Sequence, residues 1–122
     1  MLVSIVIRTL DEAQYLGEVL DAIARQTSSL FEWEVVLVDS GSKDGTLEIA
    51  NRHGCRIQHI AREDFSFGRS LNIGCEAAAG EVLVLLSGHC VPTTKNWLHA
   101  ICTPIADGSA DYTYGRQLSG PD

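Results

Sequence analysis

The run Val35-Val36-Leu37-Val38-Asp39-Ser40-Gly41-Ser42-Lys43-Asp44-Gly45-Thr46 decides how this chain folds. Its first four residues are apolar and three of them are β-branched, the pattern of a strand buried on both faces. The strand stops at Asp39, and a carboxylate at the end of a buried strand is costly unless something there uses it. Gly41 and Gly45 allow a sharp reversal, because glycine enters positive-φ conformations cheaply. Ser42 and Asp44 suit a helix N-cap. The stretch therefore reads as strand, acidic tip, tight loop and helix start. In open α/β sheets, ligands bind outside the carboxyl ends of the strands, where Asp39 falls.

Working outward, the same alternation repeats. Residues 2–7 form an apolar first strand, followed by the turn Arg8-Thr9-Leu10-Asp11-Glu12. Asp11 and Gln14 have the spacing of a capping box. Leu16, Val19, Leu20 and Ile23 then follow a helical stripe, so a helix is expected over 12–26. Strand two covers 34–38, and a second helix 45–53 turns Leu47 and Ala50 inward, with Gly54 as its C′ glycine. A short strand over 56–60 and a polar, aromatic loop over 62–68 lead to a third helix over 69–79. Its inward face is Leu71, Gly74, Cys75 and Ala78, small enough to lie close to a sheet. Residues 82–86 are a fourth apolar strand, broken by Ser87-Gly88-His89-Cys90. Trp97, Leu98 and Ile101 indicate a fourth helix that ends before Pro104. Residues 112–114 read as a fifth strand, followed by Gly115-Arg116-Gln117. Strands and helices in alternation imply an α/β fold: a doubly wound, mostly parallel sheet with helices on both faces.

The length of 122 residues implies one domain, 1–122, large enough for a real core. The net charge of −7, sixteen acids against nine bases, argues against nucleic acid as a partner. It leaves room for an anionic nucleotide, which needs few bases, backbone N–H groups or a metal. Cys55, Cys75, Cys90 and Cys102 have no C-x-x-C spacing. No signal peptide or membrane-length apolar run accompanies them, so free thiols in a reducing cytoplasm are expected.

Three polar strand ends, 8–12, 39–44 and 87–90, should line one edge of the sheet. Val38-Asp39-Ser40-Gly41-Ser42-Lys43-Asp44-Gly45-Thr46 resembles the signature of the family 2 glycosyltransferases, inverting enzymes of the GT-A fold. Ser4-Ile5-Val6-Ile7-Arg8-Thr9-Leu10-Asp11-Glu12 resembles the family's first strand and loop. The family more often has Pro at position 8 and Asn at position 11. Arg8-Thr9, together with Tyr114-Gly115-Arg116-Gln117, is similar to rhamnosyltransferase-like members. The resemblance implies a nucleotide-sugar site of Thr9, Glu12, Asp39, Ser40, Arg69, Ser87 and His89. Thr9 and Glu12 would contact base or ribose. Asp39 would accept from a ring N–H of uracil or thymine, and Arg69 would meet the diphosphate. Arg69 could equally pair with Glu63 or Asp64.

The chain departs from the family at Ser87-Gly88-His89, where most members carry Asp-x-Asp and the last Asp holds a divalent cation. Ser87 is a poor substitute for a carboxylate on Mg²⁺ or Mn²⁺. His89 has three open readings: a metal ligand, as in the Asp-Ser-His-Cys of polypeptide GalNAc-transferases; a cation on the diphosphate without metal; or a loop residue. A divalent cation, Mn or Mg, thus remains an open cofactor. The family's catalytic base is an Asp in a later motif, so the base is expected beyond Asp122 and no catalytic residue is assigned. The chain is expected to be the N-terminal part of a longer transferase. That enzyme would move a sugar from a UDP or dTDP donor to a saccharide or lipid-linked acceptor in cell-wall or surface polysaccharide synthesis, in the cytoplasm or at the inner face of the membrane. The alternative is a nucleotide-sugar-binding or assembly module without chemistry. Apolar surface that a second half would cover points to self-association.

Overall fold

A computed structural model describes residues 1–113. Strand β1 (Leu2–Thr9) is followed by α1 (Ala13–Ala24), β2 (Glu32–Asp39), α2 (Thr46–Arg52) and β3 (Arg56–His59). A short 3₁₀ turn (Arg62–Asp64) then leads to α3 (Phe67–Ala77), β4 (Val82–Ser87) and α4 (Trp97–Ala106). The strands form one sheet in the order β3-β2-β1-β4, and every pairing is parallel. The doubly wound reading is therefore correct. All four cysteines are free.

Alternation along β1 separates the two faces. Val3, Ile5 and Ile7 point into the larger core, with Leu16 and Val19 of α1, Ala50 of α2 and Leu98 and Cys102 of α4. Val6 points the other way, with Val36 and Val38 of β2 and with Ile73 and Ala77 of α3. Each fully buried Val, Leu or Ile contributes about 1.5–3 kcal/mol, so this double coverage fixes β1 and β2 as the rigid centre. Gly74 lets α3 lie on the sheet. A Cβ there would come within 2.3 Å of Val6 Cγ1 and 3.1 Å of Val38 Cγ2.

Several expectations need correction. The third helix starts at Phe67, two residues early, because Ser66 caps it by accepting from the Arg69 N–H at 3.1 Å. Its sheet-facing stripe is Ser70, Ile73, Gly74 and Ala77, with Ile73 and Ala77 packed on Val6, Val36 and Val38; Leu71, Cys75 and Ala78 lie outside that cluster. The fourth helix runs through Pro104 to Ala106, because a proline this near the end forfeits a single backbone bond. Strand β4 is not buried on both faces. Leu83 and Leu85 are 46 % and 53 % exposed, since α3 covers β1 and β2 and leaves β4 bare on that side. Tyr112 and Thr113 lie outside any strand, and the segment Tyr114 to Gln117 falls outside the described residues.

The capping box at Asp11 is also absent. Asp11 adopts φ 52°, and its carboxylate accepts from the Lys43 N–H at 2.7 Å instead of capping α1. The loop before α2 and the first residue of α2 do that work. Thr46 Oγ1 accepts from the Glu12 N–H at 2.9 Å and Asp44 Oδ2 from the Ala13 N–H at 3.1 Å. The β1 and β2 loops thus hold each other in place at the carboxyl edge of the sheet.

Candidate nucleotide-sugar site

Parallel register brings the carboxyl ends of β1, β2 and β4 side by side: Thr9 pairs with Asp39, and Arg8 with Ser87. At the centre, Asp39 is 1 % exposed yet carries a carboxylate. Its Oδ1 accepts from the hydroxyls of Thr9, at 2.8 Å, and Ser42, at 2.5 Å. Its Oδ2 accepts from the N–H groups of Gly41, at 2.9 Å, and Ser42, at 2.8 Å. Burial pushes the carboxyl up, but these hydrogen bonds outweigh it and leave Asp39 below the usual carboxylate range. A carboxylate offers about four lone-pair sites, and the four donors fill them. Ser40 is also buried, and both its N–H and its hydroxyl donate to the Thr9 carbonyl.

A second group gathers at the end of β4. His89 is 57 % exposed, and its Nδ1 stands 3.1 Å from Ser87 Oγ and 3.4 Å from Glu12 Oε1. Gly88 provides the room for this. A Cβ on it would meet Glu12 Cγ at 2.9 Å, the Arg8 carbonyl oxygen at 3.1 Å and Thr9 Cγ2 at 3.2 Å. Beside it, the Arg8 guanidinium lies 4.4 Å over the ring of Phe67, a residue 65 % exposed at the start of α3.

The structure therefore unites Thr9, Asp39 and Ser40 in one cluster and Glu12, Ser87 and His89 in another. Arg69 lies apart from both. It lines an open groove with His59, Ile60, Asp64, Asn72 and Glu76, and its Nη1 is 3.9 Å from Asp64 Oδ1 and 3.3 Å from the Asp64 carbonyl. Three contributors escaped the sequence reading: Ser42, Asp44 with Thr46, and the Arg8–Phe67 stack. The first two had a signal in the polar residues flanking the second loop glycine, Gly45. The stack had none, because its partners are 59 residues apart.

The model described as "Glycosyl transferase family 2" matches residues 4–122. The chain belongs to this glycosyltransferase family. Among its relatives, glycosyltransferase AglE of Haloferax volcanii is 33 % identical over 118 residues, covering 93 % of this chain and 38 % of that protein. Validoxylamine A glucosyltransferase of Streptomyces hygroscopicus is 34 % identical over 89 residues, 70 % of this chain and 21 % of that one. The chain thus spans well under half the length of these relatives. S. aureus TarS 1-349 superposes with a TM-score of 0.78 at 24 % identity, over 91 % of this chain and 34 % of that one, which establishes the shared fold. Mannosyltransferase PcManGT of Pyrobaculum calidifontis, in complex with GDP-Man and Mn²⁺, superposes with a TM-score of 0.71 at 25 % identity, over 86 % and 32 % of the two chains.

The family's cation can be tested against these side chains. Among the described residues, no group of three His, Cys, Asp or Glu could hold a metal ion by itself. The available donors are one imidazole, one carboxylate and one hydroxyl. Such a set suits a cation whose remaining ligands come from substrate phosphates. Among the described residues, no helix is long and apolar enough to cross a membrane.

Proposed function

We propose that this chain is the donor-binding part of an inverting transferase that moves a sugar from a UDP- or dTDP-type donor to a saccharide or lipid-linked acceptor. The observation that carries this is the meeting of two polar clusters, Thr9–Asp39–Ser40 and Glu12–Ser87–His89, at the ends of three adjacent parallel strands. The position is the one where open α/β sheets bind ligands. The named activities of the relatives, glucosyl transfer in one and a GDP-Man complex with Mn²⁺ in the other, support a nucleotide sugar as the partner.

In this reading the base lies against the first cluster. Its ring N–H takes one Asp39 lone pair, displacing a hydroxyl donor, with Ser42 the nearer candidate because its loop is partly open. The ribose follows Glu12, and the diphosphate runs toward His89. Arg69 joins only by swinging away from Asp64, for which its 67 % exposure leaves it free. His89 and Ser87 would help to hold a cation, which would neutralise charge on the leaving diphosphate. The acceptor's proton goes to a carboxylate beyond Asp122. The reaction belongs to the cytoplasm or the inner membrane face, and exposed Leu83 and Leu85 make the β4 face the surface for self-association.

Calorimetric titration with UDP, dTDP and GDP, each with and without Mn²⁺, tests this. Saturable binding of UDP or dTDP that is lost in His89→Ala, with Asp39→Asn blunting the preference for these two over GDP, supports it. No stabilisation by any of the three nucleotides overturns it. A sugar-transfer assay on the same protein separates a transferase from a binding module.

A further inference from the structure

We infer that Glu12 is the second protein ligand of a divalent cation that His89 also binds, and that this cation is held only together with the nucleotide diphosphate. The inference rests on the donor-site reading above. It makes Glu12 a metal ligand where the sequence suggested a base or ribose contact.

Spacing is the first ground. Octahedral cations with bonds near 2.1 Å place neighbouring ligand atoms about 3 Å apart. Glu12 Oε1 and His89 Nδ1 are separated by 3.4 Å, and Ser87 Oγ and His89 Nδ1 by 3.1 Å. His89 Nδ1 thus has two donor atoms at nearly the separation of neighbours in one coordination shell. Glu12 comes from a different strand end, so its approach to His89 is not forced by chain connectivity.

Support for Glu12 is the second ground. Its backbone N–H is held by Thr46, and its side chain is only 20 % exposed. It passes over Gly88 at a distance that any larger residue would deny it. The glycine between Ser87 and His89 thus makes room for a carboxylate arriving from β1. Where the strand end itself offers Ser87, the missing negative charge comes from Glu12.

Charge is the third ground. One carboxylate and a neutral imidazole supply a single negative charge against two positive ones. The pair is too small to retain a cation alone, in keeping with the absence of a three-member ligand group among the described residues. Diphosphate oxygens complete both the shell and the charge balance. The imidazole nitrogen favours a transition ion such as Mn²⁺ over Mg²⁺ or Ca²⁺, which take oxygen.

The test is electron paramagnetic resonance of Mn²⁺, with calorimetry of UDP in parallel. Mn²⁺ alone should stay free in solution. Mn²⁺ with UDP should give an immobilised signal with nitrogen coupling, lost in His89→Ala. Glu12→Gln should weaken Mn²⁺-dependent UDP binding at least ten-fold more than Mn²⁺-free UDP binding and leave thermal stability unchanged. Gly88→Ala should weaken it in the same direction. Equal UDP affinity with and without Mn²⁺, or a Glu12→Gln variant that binds the pair as the parent does, overturns this inference and leaves the donor site standing. Failure of UDP to bind under either condition overturns the donor site and this inference with it.

Discussion

Replacing Asp39 by alanine removes the acceptor of four donors at once. The hydroxyls of Thr9 and Ser42 can rotate toward other acceptors. The N–H groups of Gly41 and Ser42 cannot. Each donor left without a partner costs about 1–3 kcal/mol, so Asp39→Ala should lose about 2–6 kcal/mol. That is a large part of the roughly 5–15 kcal/mol that holds a domain together. Asp39→Asn keeps an oxygen for both N–H groups and offers its amide to the hydroxyls. It loses only the charge assistance, about 1–2 kcal/mol in total. Urea unfolding followed by circular dichroism at neutral pH measures both. The pH dependence adds a second check. The folded carboxyl lies below its ordinary value, so its stabilisation is present above the unfolded value near 3.9 and is lost as pH falls through the folded one. The gap between the parent and Asp39→Asn should therefore close in acid, below about pH 4. Equal costs for the two variants, or a gap that does not change with pH, would refute the reasoning.

Gly17 and Gly74 both occupy helix interiors, but a Cβ at Gly17 meets nothing within 4 Å. Gly17→Ala should stabilise the protein by about 0.5–1 kcal/mol, while Gly74→Ala should destabilise it by about 1–2 kcal/mol in the same urea titration, overpacking against Val6 outweighing the helix gain. His53 places its two ring nitrogens beside the Ile49 carbonyl and the Asp21 carboxylate, both acceptors, so its protonated form is favoured and its pKa is raised, chiefly by Asp21. Its stabilisation is complete below about pH 6.5 and disappears as pH rises through the higher folded value. The stability of His53→Gln relative to the parent should therefore improve on going from pH 6 to pH 9. Leu83→Ser with Leu85→Ser should reduce concentration-dependent light scattering; an unchanged profile would remove β4 as the self-association surface.

The fold was legible because its signal is local. Apolar runs at β1, β2 and β4 and the stripe of α1 need no partner to be read. The order of pairing, β3-β2-β1-β4, was not legible, because no local pattern says which strand lies beside β1. The meeting of the polar strand ends was legible, since acids and hydroxyls directly after a buried strand have few structural uses. Their partners were not. Asp39 looked open to a ligand because a sequence does not reveal that Gly41, Ser42 and Thr9 already saturate it. Asp11 looked like a helix cap because the capping box is a local pattern, whereas Lys43 and Ser42 reach it from the next loop. The bareness of β4 likewise depends on where α3 lies, which no residue of β4 encodes.

These two kinds of information meet in the contrast between the site's halves. The Asp39 side is closed on itself, with its carboxylate oxygens fully hydrogen-bonded. The His89 side is open, with His89 more than half exposed. A nucleotide entering this edge exchanges existing bonds at Asp39, with little net gain, so discrimination among bases belongs there rather than tight binding. Affinity must then come from the open side. Its cationic resources are limited: Arg8 is engaged with Phe67, Arg69 lies in another groove, and the chain carries a net charge of −7. A diphosphate beside Glu12 and a single imidazole is electrostatically favourable only if positive charge arrives with it. In the proposed site a cation shared by Glu12, His89 and the diphosphate would supply that charge, so that nucleotide and metal binding would strengthen each other.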